Sequence, residues 1–180
     1  MNDSGTEILN TGGVGVLLTD TIFGLVGRAL NKKAVERIYR IKGRDENKPF
    51  IILISSIKDL ERFDISPDEE TMELLKKFWP GPVSVILNCP SEKFKYLHRN
   101  TKSLAFRLPK KSSLRRLIKI TGPLVAPSAN PQGLPPARTA KEAQMYFGDA
   151  VDFYKRGGRP KSKSSTLVDL RGKSPKILRK

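Results

Sequence analysis

Four short polar clusters in this 180-residue chain carry side chains suited to holding phosphate. Thr19-Asp20-Thr21 directly follows the apolar run 13–18, and ligand crevices in α/β sheets lie just beyond such strand ends. The same three residues suit a plain turn or helix cap. Lys42-Gly43-Arg44 puts two cations around a glycine. Residues two apart on one continuous helix do not share a face, but a glycine that stops the helix can send both side chains into one cleft. The alternative is a basic helix end answering the negative pole of the macrodipole. Lys48-Pro49 leads into a second apolar run. Ser128-Ala129-Asn130 precedes Pro131, which pushes Asn130 out of the helical region and presents hydroxyl and amide groups from an extended loop. Turn chemistry accounts for Asn-Pro equally well.

Other chemistries lack their residues. The sequence contains no Gly-x-x-x-x-Gly-Lys-Ser/Thr, no nucleophile elbow and no His-Glu-x-x-His, and Gly13-Val14-Gly15 lacks the third glycine of a dinucleotide fingerprint. The only histidine, His98, falls in a stretch that reads as a surface loop and is expected to be solvated. Cys89 has no local base partner and reads as a packed thiol. One Cys and one His build neither a disulfide nor a zinc site. Covalent catalysis is not expected, and a reducing compartment fits.

The elements that must position these clusters follow from apolar spacing. Residues 13–18, 50–54, 83–87, 104–108 and 124–126 read as buried strands. Asn31 caps a helix in which Ala34, Val35, Ile38 and Ile41 recur at three- and four-residue steps, ending near Lys42 with Gly43 as a left-handed stop. Ser56 begins a short helix. Ser66-Pro67-Asp68-Glu69 combines a capping box with Pro at the first helical position and opens a helix to Trp79, where Pro80-Gly81-Pro82 breaks the chain. A basic loop carrying Lys93, Lys95 and His98 follows the third strand. Residues 113–120 have helical spacing, and Thr139 with Glu142 caps a helix to Phe147. Residues 151–154, 166–170 and 176–179 read as closing strands. The Lys/Arg/Gly/Ser segment 156–164 between them serves either as a lid or as a solvated loop. Interleaved strands and helices place the chain in the α/β (or α+β) class, a single domain over 1–180 built on one mixed sheet flanked by helices.

Composition sets the outer bounds. With 38% hydrophobic and 29% charged residues the chain is globular rather than disordered, and no apolar run is long enough to cross a bilayer, so a soluble cytoplasmic protein is expected. The net charge is +16, and 22 of the 34 Lys and Arg lie after residue 90 against 5 of the 18 Asp and Glu. Such a one-sided field attracts polyanions and focuses small phosphates into any cleft it lines. It serves equally as a solvated basic face.

Taken in order, these segments resemble the YrdC/TsaC-like family of threonylcarbamoyl-AMP synthases in its short form. Thr19-Asp20-Thr21-Ile22-Phe23-Gly24-Leu25 is similar to that family's Thr-Asp-Thr-x-Tyr-Gly-Leu, with Phe23 in place of Tyr. Lys42-Gly43-Arg44 with Lys48-Pro49 matches its Lys-x-Arg element, although Asp45 stands where Pro often follows. Phe78-Trp79-Pro80-Gly81-Pro82 and Ala126-Pro127-Ser128-Ala129-Asn130, holding the Ser-x-Asn element, continue the match, and Ser165-Thr166-Leu167-Val168-Asp169 with Ile177-Leu178-Arg179 closes it. Leu53 sits where some members have a histidine.

The resemblance implies a twisted mixed parallel and antiparallel sheet with a basic concave cleft. It implies condensation of L-threonine, bicarbonate and ATP into threonylcarbamoyl-adenylate and pyrophosphate, with ATP as substrate and Mg²⁺ carried mainly on its phosphates. A separate tRNA threonylcarbamoyl transferase complex would then use the product. By position, Arg44, Lys48, Ser103, Ser128, Asn130 and Arg179 are expected on the nucleotide side. Thr21, Arg107, Ala126 and Ser165 are expected on the threonine side, with Lys42 and Arg44 as the catalytic pair. Such a reaction needs cations and amides rather than a protein nucleophile. The alternative is a catalytically weak module of the same fold that binds tRNA or structured RNA through its basic half, by phosphate contact rather than base stacking. A carbamoyl-adenylate-handling domain of the hydrogenase-maturation type is a third reading, disfavoured because its large partner domains are absent.

Overall fold

In a computed structural model, residues 4–160, 164–172 and 174–180 are described. Nine strands among them form one sheet: β1 (Gly15–Leu18), β2 (Phe23–Arg28), β3 (Ile51–Leu53), β4 (Val83–Asn88), β5 (Ser103–Arg107), β6 (Leu124–Val125), β7 (Phe153–Tyr154), β8 (Thr166–Asp169) and β9 (Lys176–Arg179). Their spatial order is β7-β1-β2-β6-β3-β5-β4-β8-β9. The pairs β1/β7, β3/β5 and β4/β8 are parallel and the others antiparallel, so the sheet is mixed as the sequence implied.

Both faces of the sheet are covered. Along β1, β2 and β3, Val16, Leu25 and Ile52 enter a larger core, while Leu17, Val26 and Leu53 enter a smaller one with Leu114 and Ile118. A sheet buried on both sides gives continuous apolar runs instead of alternation, which is why these strands read so clearly. The larger core takes the inner face of α2 (Lys32–Lys42), through Ala34, Val35 and Ile38, and Leu75 of α3 (Glu69–Phe78). On the other face lie α1 (Ser4–Asn10), through Leu9, and α5 (Ser112–Thr121). The short α4 (Lys95–His98) and α6 (Ala140–Phe147) complete the helical cover.

Two elements were not foreseen. Helix α1 is a single short piece of seven residues, and β2 is diluted by Gly24 and Gly27, which weaken any apolar pattern. Two assignments are corrected. Asp68, not Ser66, is the N-cap of α3, its carboxylate accepting from Thr71 N at 2.8 Å. The stretch after β4 is not a solvated loop: it forms a 3₁₀ turn, Glu92–Phe94, and then α4, and His98 is fully buried with Nε2 3.3 Å from Ser91 O. Phe94 and Leu97 are buried beside it, so His98 enters the core with them. Residues 161–163 of the suggested lid lie outside the described residues.

Candidate active site

The turn between β1 and β2 is built by one hydroxyl. Thr19 Oγ1 accepts from Thr21 N and Ile22 N and donates to Ile22 O at 2.7 Å. The Thr19 and Thr21 hydroxyls also lie 3.1 Å apart. Thr21 Oγ1 in turn accepts from Arg107 Nη1 at 2.8 Å. Arg107 ends β5, is 4% exposed, and lies with Nη2 3.2 Å from Asp20 Oδ1, an ion pair too poorly aligned to count as a hydrogen bond. Its Nε has no hydrogen-bond partner among the described residues.

The second wall starts where α2 stops. Gly43 adopts φ +58°, and the bonds Gly43 N to Arg40 O and Arg44 N to Tyr39 O close a Schellman-type end. A side chain at residue 43 would be strained in that left-handed conformation, so glycine is what turns Arg44 out of the helix path. Arg44 Nε donates to Lys48 O, and its guanidinium lies 5.5 Å from the centroid of Phe50. Lys42 points the other way, into the protein. It is 3% exposed, and Nζ donates to Ser128 O at 2.7 Å and Asn130 O at 2.6 Å, with Asn130 Oδ1 at 3.0 Å and Ser128 Oγ at 3.3 Å. Burial, and to a lesser degree the neighbouring Arg44 charge, push this ammonium down to about 8. The loop it grips is also stitched to β2 by Leu25 N to Pro127 O and Ala129 N to Phe23 O.

The third wall comes from the end of the chain. Arg179 on β9 donates through Nε and Nη2 to Ser165 O at 3.1 and 2.8 Å, and Ser165 Oγ is 2.8 Å from Ser84 Oγ on β4. These walls enclose a cleft of about 300 Å³ whose lining includes Thr21, Arg44, Arg107, Ala126, Ser128, Ser165 and Arg179. A wider hollow of about 510 Å³ shares no lining residue with it; its lining sets Asp64, Asp68 and Glu70 against one cation, Arg171, which is already paired with Asp169, and is ill suited to phosphate. Burial is the first cause holding all three cleft arginines below the ordinary guanidinium range, and the Arg179 charge lowers both Arg44 and Arg107 further. Mutually repelling cations around one cavity attract an anion.

A family model for Sua5/YciO/YrdC proteins, described as telomere recombination, matches residues 7–180. The chain belongs to this family. The threonylcarbamoyl-AMP synthase of Marinobacter nauticus is 34% identical over 164 residues, covering 88% of this chain and 85% of that one. Pyrococcus abyssi Sua5, solved in complex with L-threonine, superposes with a TM-score of 0.90 at 32% identity over 98% of this chain, which spans 52% of the Sua5 chain, about half. E. coli YciO superposes with a TM-score of 0.87 at 26% identity, covering 98% of this chain and 87% of its own. The fold is that of these Sua5/YciO/YrdC structures.

Within this Sua5/YciO/YrdC fold, seven of the eleven residues named from sequence meet at the cleft. Four do not line it. Lys42 and Asn130 lie beneath it, because Lys42 directs its protons at carbonyl oxygens, and Asn130 Nδ2 donates to Pro131 O and Leu134 O. Lys48 is exposed, its Nζ 3.4 Å from Asp45 Oδ2. Ser103 lies at the far end of β5 from Arg107, about 13 Å along the strand, bonded to Thr101 and Arg171. Asp20 and Ser84 were not named. Asp20 stood inside a motif, and Ser84 is a hydroxyl within the otherwise apolar run Val83-Ser84-Val85-Ile86. Cys89 is buried and its thiol is pushed up to about 11, chiefly by burial, as a packed thiol should be.

Proposed function

We propose that this chain makes threonylcarbamoyl-adenylate from L-threonine, bicarbonate and ATP, releasing pyrophosphate. The observation that carries the reading is the convergence of Arg44, Arg107 and Arg179 with Thr21, Ser128 and Ser165 on one cleft, in a fold shared with a Sua5 solved with L-threonine. The relatives named threonylcarbamoyl-AMP synthase support the same reaction.

The chemistry asks little of the protein beyond placement and charge. The amine of threonine adds to the carbon of bicarbonate and water leaves, giving a carbamate. A carbamate oxygen then attacks the α-phosphorus of ATP, and the bond to the β-phosphate bridging oxygen breaks, releasing pyrophosphate. Arg107, held by Thr21 and Asp20, is shaped to take a carboxylate in bidentate fashion. Arg44 and Arg179 would balance charge on the triphosphate, and the Ser128 loop clamped by Lys42 would pack against the nucleotide. Mg²⁺ would ride on the phosphate oxygens: Asp20, behind the cleft wall, already faces Arg107 and accepts from Lys110 N, so this side chain does not fit a direct metal ligand. The adenylate would pass to a separate transferase complex acting on tRNA. A module that only binds RNA is not favoured, since nothing in such a role calls for three arginines around one small cleft. No helix among the described residues is long and apolar enough to cross a membrane.

The test is incubation with ATP, labelled bicarbonate and each amino acid in turn, without RNA. Pyrophosphate and a labelled acyl-adenylate that depend on threonine are expected. Release that ignores the amino acid, or no release, rejects the proposal.

A further inference from the structure

Ser84 is a fully buried hydroxyl on β4, and its only side-chain hydrogen-bond partner among the described residues is Ser165 Oγ, 2.8 Å away. Each hydroxyl carries one proton, and their shared bond uses one of the two. If Ser165 were the donor, the Ser84 proton would be left without an acceptor at a site closed to water, which is costly. The favoured order is therefore Ser84 donating to Ser165. Arg179 Nη2 approaches the same Ser165 oxygen at 3.4 Å, again as a donor. Both lone pairs of Ser165 Oγ are then engaged, and its own proton has no acceptor among the described residues. Ser165 lines the cleft, so that proton is offered there.

We infer that Ser84 is a positioning residue that fixes Ser165 as an obligate hydrogen-bond donor to an anionic oxygen of the bound amino acid or its carbamate. Ser84 does not itself line the cleft; it acts through Ser165. The inference rests on the proposed synthase reading and adds a residue to it. An acceptor-only carboxylate oxygen satisfies Ser165, whereas a ligand presenting an N–H at that point meets a second donor and is rejected.

The experiment is steady-state kinetics of pyrophosphate release with threonine varied at saturating ATP and bicarbonate, on the full chain. Ser84→Ala frees Ser165 to rotate, and the threonine KM is expected to rise about 10-fold with kcat changed less than about 2-fold. Ser84→Thr, which restores a hydroxyl on a strand that suits a β-branched residue, is expected to return KM to within about 2-fold of wild type. If Ser84→Ala fails to fold, Ser84→Cys, a weak donor of similar shape, is expected to give an intermediate KM. The decisive arm is the cycle with Ser165→Ala: removing Ser84 in that background should add less than about 2-fold. An unchanged KM in Ser84→Ala, or a loss that persists undiminished in the Ser165→Ala background, overturns the inference while wild-type activity keeps the synthase reading standing. A wild-type chain with no threonine-dependent release overturns both.

Discussion

Lys42 and Arg107 are both buried cations expected at the site from the sequence, Lys42 from a motif and Arg107 from the family resemblance, and they are nearly equally shielded, at 3% and 4% exposure. Their surroundings differ. Four oxygens of residues 128 and 130 surround Lys42 Nζ, so that ammonium is consumed in tying the end of α2 to the loop that follows β6. Arg107 touches Thr21 and Asp20 but its Nε has no partner among the described residues, and it lines the cavity. Being named from the sequence does not say which cation is free to face the cleft; the count of protons against nearby acceptors does. One region is a clamp that shapes the cleft from beneath, and the other is part of the cleft wall, which on the proposed function a substrate would touch.

The sharpest way to break this contrast is on the wall. Arg44→Ala removes a guanidinium from the cleft without opening the core, and kcat is expected to fall about 10²- to 10³-fold with the melting temperature nearly unchanged. Unchanged adenylate formation by that variant would remove Arg44 from the site. Lys42→Met should show the opposite balance. It leaves Ser128 O and Asn130 O without their donor, so a destabilisation of about 2–3 kcal/mol and a KM for ATP raised about 10-fold are expected, read by thermal melts and kinetics.

Titration separates the clamp from the wall again. Below about pH 8 the Lys42 ammonium has three protons for its oxygens, and above it the amine has two, so activity is expected to fall as pH rises through about 8. Stability responds with the other sign. The unfolded side chain keeps its proton up to about its ordinary 10.5, so between about 8 and 10.5 the unfolded chain binds more protons and this group's contribution to stability rises with pH. Activity that declines while the melting temperature holds or climbs, with both trends lost in Lys42→Met, is the expected signature. The smallest effects belong to residues off the cleft: Lys48→Ala, an exposed side chain paired with Asp45, and Ser103→Ala should each change kcat/KM less than about 3-fold.

The sequence made the helical end at Gly43, the capped helix at Asn31 and the doubly buried strands readable, because each has a local cause: a left-handed glycine, an N-cap acceptor, an uninterrupted apolar run. Where the cause is tertiary, the reading failed. β2 is stabilised by its neighbours β1 and β6 rather than by its own glycine-containing sequence, and His98 is carried into the core by the side chains around it. The site divides in the same way. Motif order and resemblance gave the residues that converge, but the inward turn of Lys42 and the Ser84–Ser165 contact depend on atoms more than 80 positions apart in sequence, which no spacing rule encodes.

The most direct measurement is hydrogen exchange of the backbone, read by mass spectrometry, with ATP, L-threonine and bicarbonate added together. Slower exchange is expected at residues 19–25, 44–51, 126–130 and 164–168 at once, since these segments form the cleft walls. Slowing confined to the acidic hollow around residues 64–74 and 170–172, with the cleft segments unchanged, would contradict the account.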